Sequence, residues 1–84
     1  MKILKFSATW CGPCKMMKPV VNQIERDLQI TIHEIDVDEK PQEATKYDVR
    51  SVPTFIKVDD EGKEIGRVMG ALPYPKLVEF IKDV

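Results

Sequence analysis

Charge of one sign, long apolar stretches, repeats and metal-ligand clusters are missing from this sequence, and each absence removes a class of function. Thirteen Lys and Arg against fourteen Asp and Glu give a formal net charge of −1. Both signs are interspersed, so nothing draws a phosphate backbone or an anionic membrane over long range. Met1 to Phe6 holds no apolar run long enough for a signal peptide, and no later segment approaches transmembrane length. A cytosolic location is the expectation. Beyond Cys11 and Cys14, His33 is the one usual soft or borderline metal ligand, whereas most structural zinc and iron–sulfur sites take four ligands. No metal and no bound cofactor are expected, and His33 reads as a partly exposed strand residue. Asp36-Val37-Asp38-Glu39 lacks the glycine and terminal glutamate of an EF-hand loop and reads as a solvated strand exit.

What is present, 84 residues of which 43% are hydrophobic and 32% charged, fits one soluble globular domain over residues 1–84. Domains this short lie near the lower limit for a self-sufficient core and lean on disulfides, metals or partners. A structural staple does not explain the two cysteines, because a Cys11–Cys14 bond closes too small a loop to remove much entropy from the unfolded chain. In a reducing compartment such a pair points to catalysis or metal binding.

The pattern along the chain predicts an α/β fold. Lys2 to Ser7 suits a buried strand. Met17, Val20, Val21, Ile24 and Leu28 recur at helical spacing opposite Lys18, Asn22, Glu25 and Arg26, which predicts an amphipathic helix from about Pro13 to Leu28. Pro19 inside it removes the bond to the Lys15 carbonyl and predicts a kink. Ile30 to Val37 is rich in β-branched residues and reads as a second strand, reached by a right-handed parallel crossover. Pro41 to Tyr47 predicts a short helix. Pro53 to Val58 and Lys63 to Met69 predict strands flanking a turn at Asp59-Asp60-Glu61-Gly62. Leu77, Val78, Phe80, Ile81 and Val84 mark a final amphipathic helix. The order is βαβαββα. Met16, Met17 and Met69 are expected to be packing residues.

Thiol exchange needs one sulfur that is ionised and reachable, and a second close enough to expel what the first has captured. Trp10-Cys11-Gly12-Pro13-Cys14 provides both. Pro13 suits the first turn of a helix, which puts Cys11 at the helix N-terminus, where free N–H groups and the dipole favour a thiolate. Cys11 is therefore the expected nucleophile. Cys14, about one turn further in and shielded by the strand, is the expected resolving thiol.

The Cys-Gly-Pro-Cys motif resembles thioredoxin, and so do its surroundings. Trp10 precedes the pair, Lys15-Met16-Met17 follows it, and Pro19 comes five residues after Cys14. Tyr47 to Phe55, with Val52-Pro53-Thr54, is similar to that family's cis-proline loop, and Met69-Gly70-Ala71-Leu72 to its last-strand exit. The resemblance implies a minimal thioredoxin fold with a four-stranded mixed sheet, lacking the strand and helix that usually precede the active-site strand, so that Ile30 to Val37 becomes a sheet edge. It implies a cis Val52-Pro53 bond facing Cys11, an exposed Val52 backbone for pairing with an extended substrate, and a contact surface of Trp10, Gly12, Pro13, Val52, Pro53 and Gly70. It further implies a monomeric protein-disulfide reductase acting on disulfide-containing proteins and recharged by an upstream disulfide reductase. A glutaredoxin-like enzyme recharged by glutathione is the nearest rival, although glutaredoxins commonly carry an aromatic residue where Gly12-Pro13 stands. A thioredoxin-fold binding module with an incidental dithiol is the other.

One departure from the family stands out. Thioredoxins carry a buried acidic residue six positions ahead of the first cysteine and a lysine on the neighbouring strand, whereas here those positions hold Lys5 and, aligned through Asp38 and Pro41, Glu34. Alternation puts Lys5 on a face with Ile3 and Ser7, and Glu34 on a face with Ile32. Parallel neighbours bring the two together beneath Cys14. The expectation is a partly buried Lys5–Glu34 pair in which Glu34 helps remove the Cys14 proton and Lys5 favours the thiolate.

Overall fold

The computed structural model describes residues 1–83; Val84, assigned from the sequence to the apolar face of the last helix, lies outside them. The chain runs β1 (Lys2–Ser7), α1 (Gly12–Leu28), β2 (Ile32–Asp36), α2 (Pro41–Lys46), β3 (Thr54–Val58), β4 (Glu64–Met69) and α3 (Tyr74–Lys82). The four strands form one mixed sheet in the order β2-β1-β3-β4. β1 and β2 are parallel, while β3 is antiparallel to both β1 and β4. No helix among the described residues is long and apolar enough to cross a membrane.

Cys11 is the N-cap of α1, and the helix stops where Gln29 enters the left-handed region at φ 56°. Its buried residues, Cys14, Met17, Val21 and Ile24, follow the three-and-four spacing of a single stripe. The helix runs on through Pro19, which is exposed. β2 is shorter than the sequence pattern predicts. Ile30 is still engaged in closing α1, its N–H donating to the Glu25 carbonyl at 3.3 Å, and pairing with β1 begins only at Ile32, opposite Ile3.

Alternation along the strands divides the interior in two. Ile3 and Phe55 point toward α1 and α3 and pack with Met17, Val21, Ile24, Leu77 and Ile81. Leu4, Phe6, Ile56 and Val58 point the other way and pack with Tyr47, at the end of α2. Two lysines lie on the first face and are almost fully covered, Lys5 at 1% and Lys57 at 5% exposure. Lys57 donates to the backbone carbonyls of Phe80 and Asp83 at the end of α3, where a cation meets the negative pole of the helix. Lys5 is spent differently.

Candidate active site

The end of β1 and the start of α1 place the two cysteines. They are joined by a disulfide, with their Cα atoms 5.3 Å apart. As N-cap, Cys11 turns its Sγ back toward the first helical turn and accepts the Cys14 N–H at 3.1 Å. Pro13 has no N–H to offer. A thiolate at Cys11 is thus met by an oriented donor and by the positive end of a 17-residue helix. Both cysteines are nearly covered, at 4% and 3% exposure, so the expected contrast in accessibility is absent in this oxidised state. What distinguishes them is their neighbours. Cys11 is flanked by exposed Trp10, Gly12 and Pro13, whereas Cys14 faces inward from α1 over β1.

The wall opposite Cys11 comes from the segment before β3. The Val52–Pro53 peptide bond is cis, and the Val52 carbonyl oxygen lies 3.7 Å from Cys11 Sγ. Gly70, just past β4, closes the same wall: its N–H donates to the Pro53 carbonyl at 2.8 Å with φ at 89°, a conformation that favours glycine. Trp10 is 68% exposed and is held at the rim by its Nε1–H, which donates to Asp38 at 2.9 Å. The reading of Asp36 to Glu39 as a strand exit did not foresee that Asp38 would anchor Trp10. Of the three methionines expected to pack, Met17 is buried, but Met16 and Met69 are 72% and 59% exposed. Met16 falls off the buried stripe of α1, and Met69 ends the outer strand β4.

Beneath Cys14, β1 and β2 pair Lys5 with Glu34 in register. The Lys5 amine donates to the Cys14 carbonyl at 3.2 Å and to Glu34 Oε2 at 3.2 Å. Its side chain is 2% exposed while that of Glu34 is 47% exposed. A groove of about 550 Å³ runs from Cys14 past Glu34 to solvent, bordered by Lys15, Lys18 and Lys40 among others. Buried ammonium and half-exposed carboxylate thus sit in line, with Lys5 touching the cysteine turn and Glu34 open to water.

The family model named Thioredoxin matches residues 1–83. The chain belongs to the thioredoxin family. Thioredoxin of Staphylococcus epidermidis is 43% identical over 82 residues, covering 95% of this chain and 78% of that protein. Thioredoxin Y2, chloroplastic, of Arabidopsis thaliana is 42% identical, over 96% of this chain and 49% of that one. Among solved structures, mitochondrial thioredoxin 3 from Saccharomyces cerevisiae in its oxidised form superposes with a TM-score of 0.87 at 38% identity, covering 98% of this chain and 76% of the other. Thioredoxin NaTrxh from Nicotiana alata gives 0.84 at 41%, covering 94% and 68%. With its dithiol at disulfide distance, this member of the thioredoxin family is a thiol–disulfide oxidoreductase.

Proposed function

We propose that the chain reduces disulfides in protein substrates by a two-step exchange in which Cys11 attacks and Cys14 resolves. The observation that carries this is the Cys14 N–H aimed at Cys11 Sγ at the N-cap of α1. In the reduced protein the Cys11 thiolate attacks one substrate sulfur. A Cys11–substrate disulfide forms, the substrate S–S bond breaks, and the departing sulfur leaves as a thiolate that takes a proton from water. Cys14 then gives up its proton, with Glu34 as acceptor through the groove they share, and attacks Cys11 Sγ. The Cys11–Cys14 bond forms, the mixed disulfide breaks, and the second substrate sulfur departs with the bonding pair as a thiolate that takes a proton from water. Lys5 favours the Cys14 thiolate by its charge. Trp10, Gly12, Pro13, Val52 and Gly70 supply the surface against which an extended substrate segment lies, while Pro53, expected to share it, is fully buried and acts by shaping the backbone behind Val52.

An upstream dithiol donor recharges the pair. The test is reduction of insulin disulfides with two alternative sources of electrons, a flavin-dependent disulfide reductase with its nicotinamide donor, or glutathione. The expected outcome is turnover supported by the first. Turnover with glutathione alone contradicts the proposal and selects the glutaredoxin-like route.

A further inference from the structure

The segment facing the disulfide, Asp48 to Val52, belongs to no helix or strand, so its position must come from what holds it. At its start Asp48 takes a positive φ of 52°, and the N–H groups of Asp48 and Val49 donate to the carbonyls of Thr45 and Ala44 at 3.1 and 2.8 Å. At its end the Thr54 hydroxyl donates to the Ser51 carbonyl at 2.7 Å. Val49 and Val52 also pack against the core, the Ser51 hydroxyl lies 3.8 Å from Met69 Sδ, and a further anchor comes from β4. The Arg67 guanidinium donates through Nη2 to the Tyr47 carbonyl at 2.5 Å, and its Nη1 lies 3.5 Å from the Asp48 carbonyl oxygen. Glu64 grips the same guanidinium, at 2.6 Å to Nε and 2.6 Å to Nη2.

An ordinary surface ion pair contributes little. This one has the two-pronged geometry that fixes a guanidinium in direction, and its side chains are only 26% and 32% exposed. The hydrogen bond from Arg67 holds the Glu64 carboxyl below its usual range, and the same contact raises Arg67. Arg67 stands on the sheet opposite Ile56, so it ties backbone that belongs to no helix or strand to the sheet. The carbonyls it takes lie where α2 runs out of helical N–H partners.

We infer that Arg67, oriented by Glu64, is a positioning residue for the substrate-facing segment. By pinning Tyr47 and Asp48 to the sheet it keeps the Val52 carbonyl beside Cys11 Sγ, where it lies at 3.7 Å, and keeps the Val52 backbone in place for pairing with a substrate strand. The inference rests on the proposed role of Val52 in contacting substrate. It assigns Arg67 an effect on protein-substrate binding and none on the reactivity of the thiols.

The test is insulin reduction with dithiothreitol as electron source, alongside the reaction of the reduced protein with Ellman's reagent and amide hydrogen exchange at Val49, Ser51 and Val52. Arg67→Met should raise KM for insulin about fivefold, the worth of roughly one ordinary net hydrogen bond. It should leave kcat and the Ellman rate within about twofold and speed exchange at Val49 to Val52. Arg67→Lys, which retains a donor for the Tyr47 carbonyl, should recover part of the KM. Glu64→Gln should fall between that variant and the parent. A lowered melting temperature with KM and exchange unchanged would reduce Arg67 to a brace and overturn the inference, as would loss of Ellman reactivity in step with insulin turnover. Failure of the parent protein to reduce insulin would instead count against the functional reading, and exchange in the Arg67 and Glu64 variants still decides whether they position the segment.

Discussion

In the proposed exchange, Lys5 and Glu34 divide two roles that one buried carboxylate would combine. The Lys5 amine contacts both the Cys14 carbonyl and Glu34 at 3.2 Å, so positive charge lies next to the cysteine turn and the carboxylate proposed as proton acceptor lies toward water. Glu34→Gln should therefore slow release of a preformed mixed disulfide near neutral pH by about tenfold, below the usual hundredfold or more of general-base effects because the carboxylate is half exposed and water can replace it. The same change at exposed Glu39 should leave release unaltered, and equal rates for the two variants in a single-turnover assay would remove Glu34 from the mechanism. Replacing Lys5 separates function from stability. Deleting one partner of a fully buried ion pair is costly because the other charge is stranded. Glu34, with a side chain 47% exposed, can rehydrate, and Met fills the volume the lysine stem leaves. Lys5→Met should thus change unfolding free energy by no more than about 1 kcal/mol while slowing resolution by Cys14. A large loss of stability in urea unfolding with unchanged resolution would show that the amine serves packing alone.

At the scale of elements, α3 is tied to α1 by the Tyr74 hydroxyl, which donates to Asp27. That bond, followed by one from Gln23, holds the Asp27 carboxyl below its ordinary value against the opposing effect of partial desolvation, with the nearby charge of Arg26 a lesser aid. Tyr74 is raised by the same contact. A lowered carboxyl contributes stability above its unfolded value and loses it as pH falls through the folded one. A raised phenol contributes below its unfolded value and loses it as pH rises through the folded one. Asp27→Asn and Tyr74→Phe should both flatten the acid limb of stability against pH, measured by urea midpoints between about pH 2 and pH 6. A slope identical to the parent's would show that the contact has no thermodynamic weight.

The elements themselves were largely legible because α1 and α3 each bury a periodic face, while β1 and β3, buried on both faces, read as short runs bounded by other signals. Where an element does not decide the outcome, the pattern failed. The start of β2 depends on how α1 closes, and the exposure of Met69 depends on β4 being the outer strand, which no alternation reveals. Parity could place Lys5 and Glu34 on compatible faces, but their pairing required the register of two strands. The contacts of Trp10 with Asp38, and of Arg67 with Tyr47, join loops and strands distant in sequence and left no periodic trace.

Across the whole molecule, the sheet lies between α1 and α3 on one face and α2 on the other, and the dithiol sits where the carboxyl end of β1 meets the amino end of α1. Binding sites in open α/β sheets gather at such strand ends, and here the loop before β3 and the glycine after β4 converge on the same spot. Each layer contributes one part: α1 the donor to Cys11 Sγ, the sheet the Lys5–Glu34 pair, and the connections the wall proposed to face substrate. The account holds that this arrangement makes the two cysteines unequal although both are almost equally covered in the oxidised state. That inequality is read most directly by trapping. Reduced Cys14→Ser and Cys11→Ser proteins are each mixed with insulin, quenched by alkylation and separated without reductant. The account predicts a covalent adduct through Cys11 in the Cys14→Ser protein and almost none in the Cys11→Ser protein. Equal adducts from both, or an adduct formed through Cys14 alone, would contradict it.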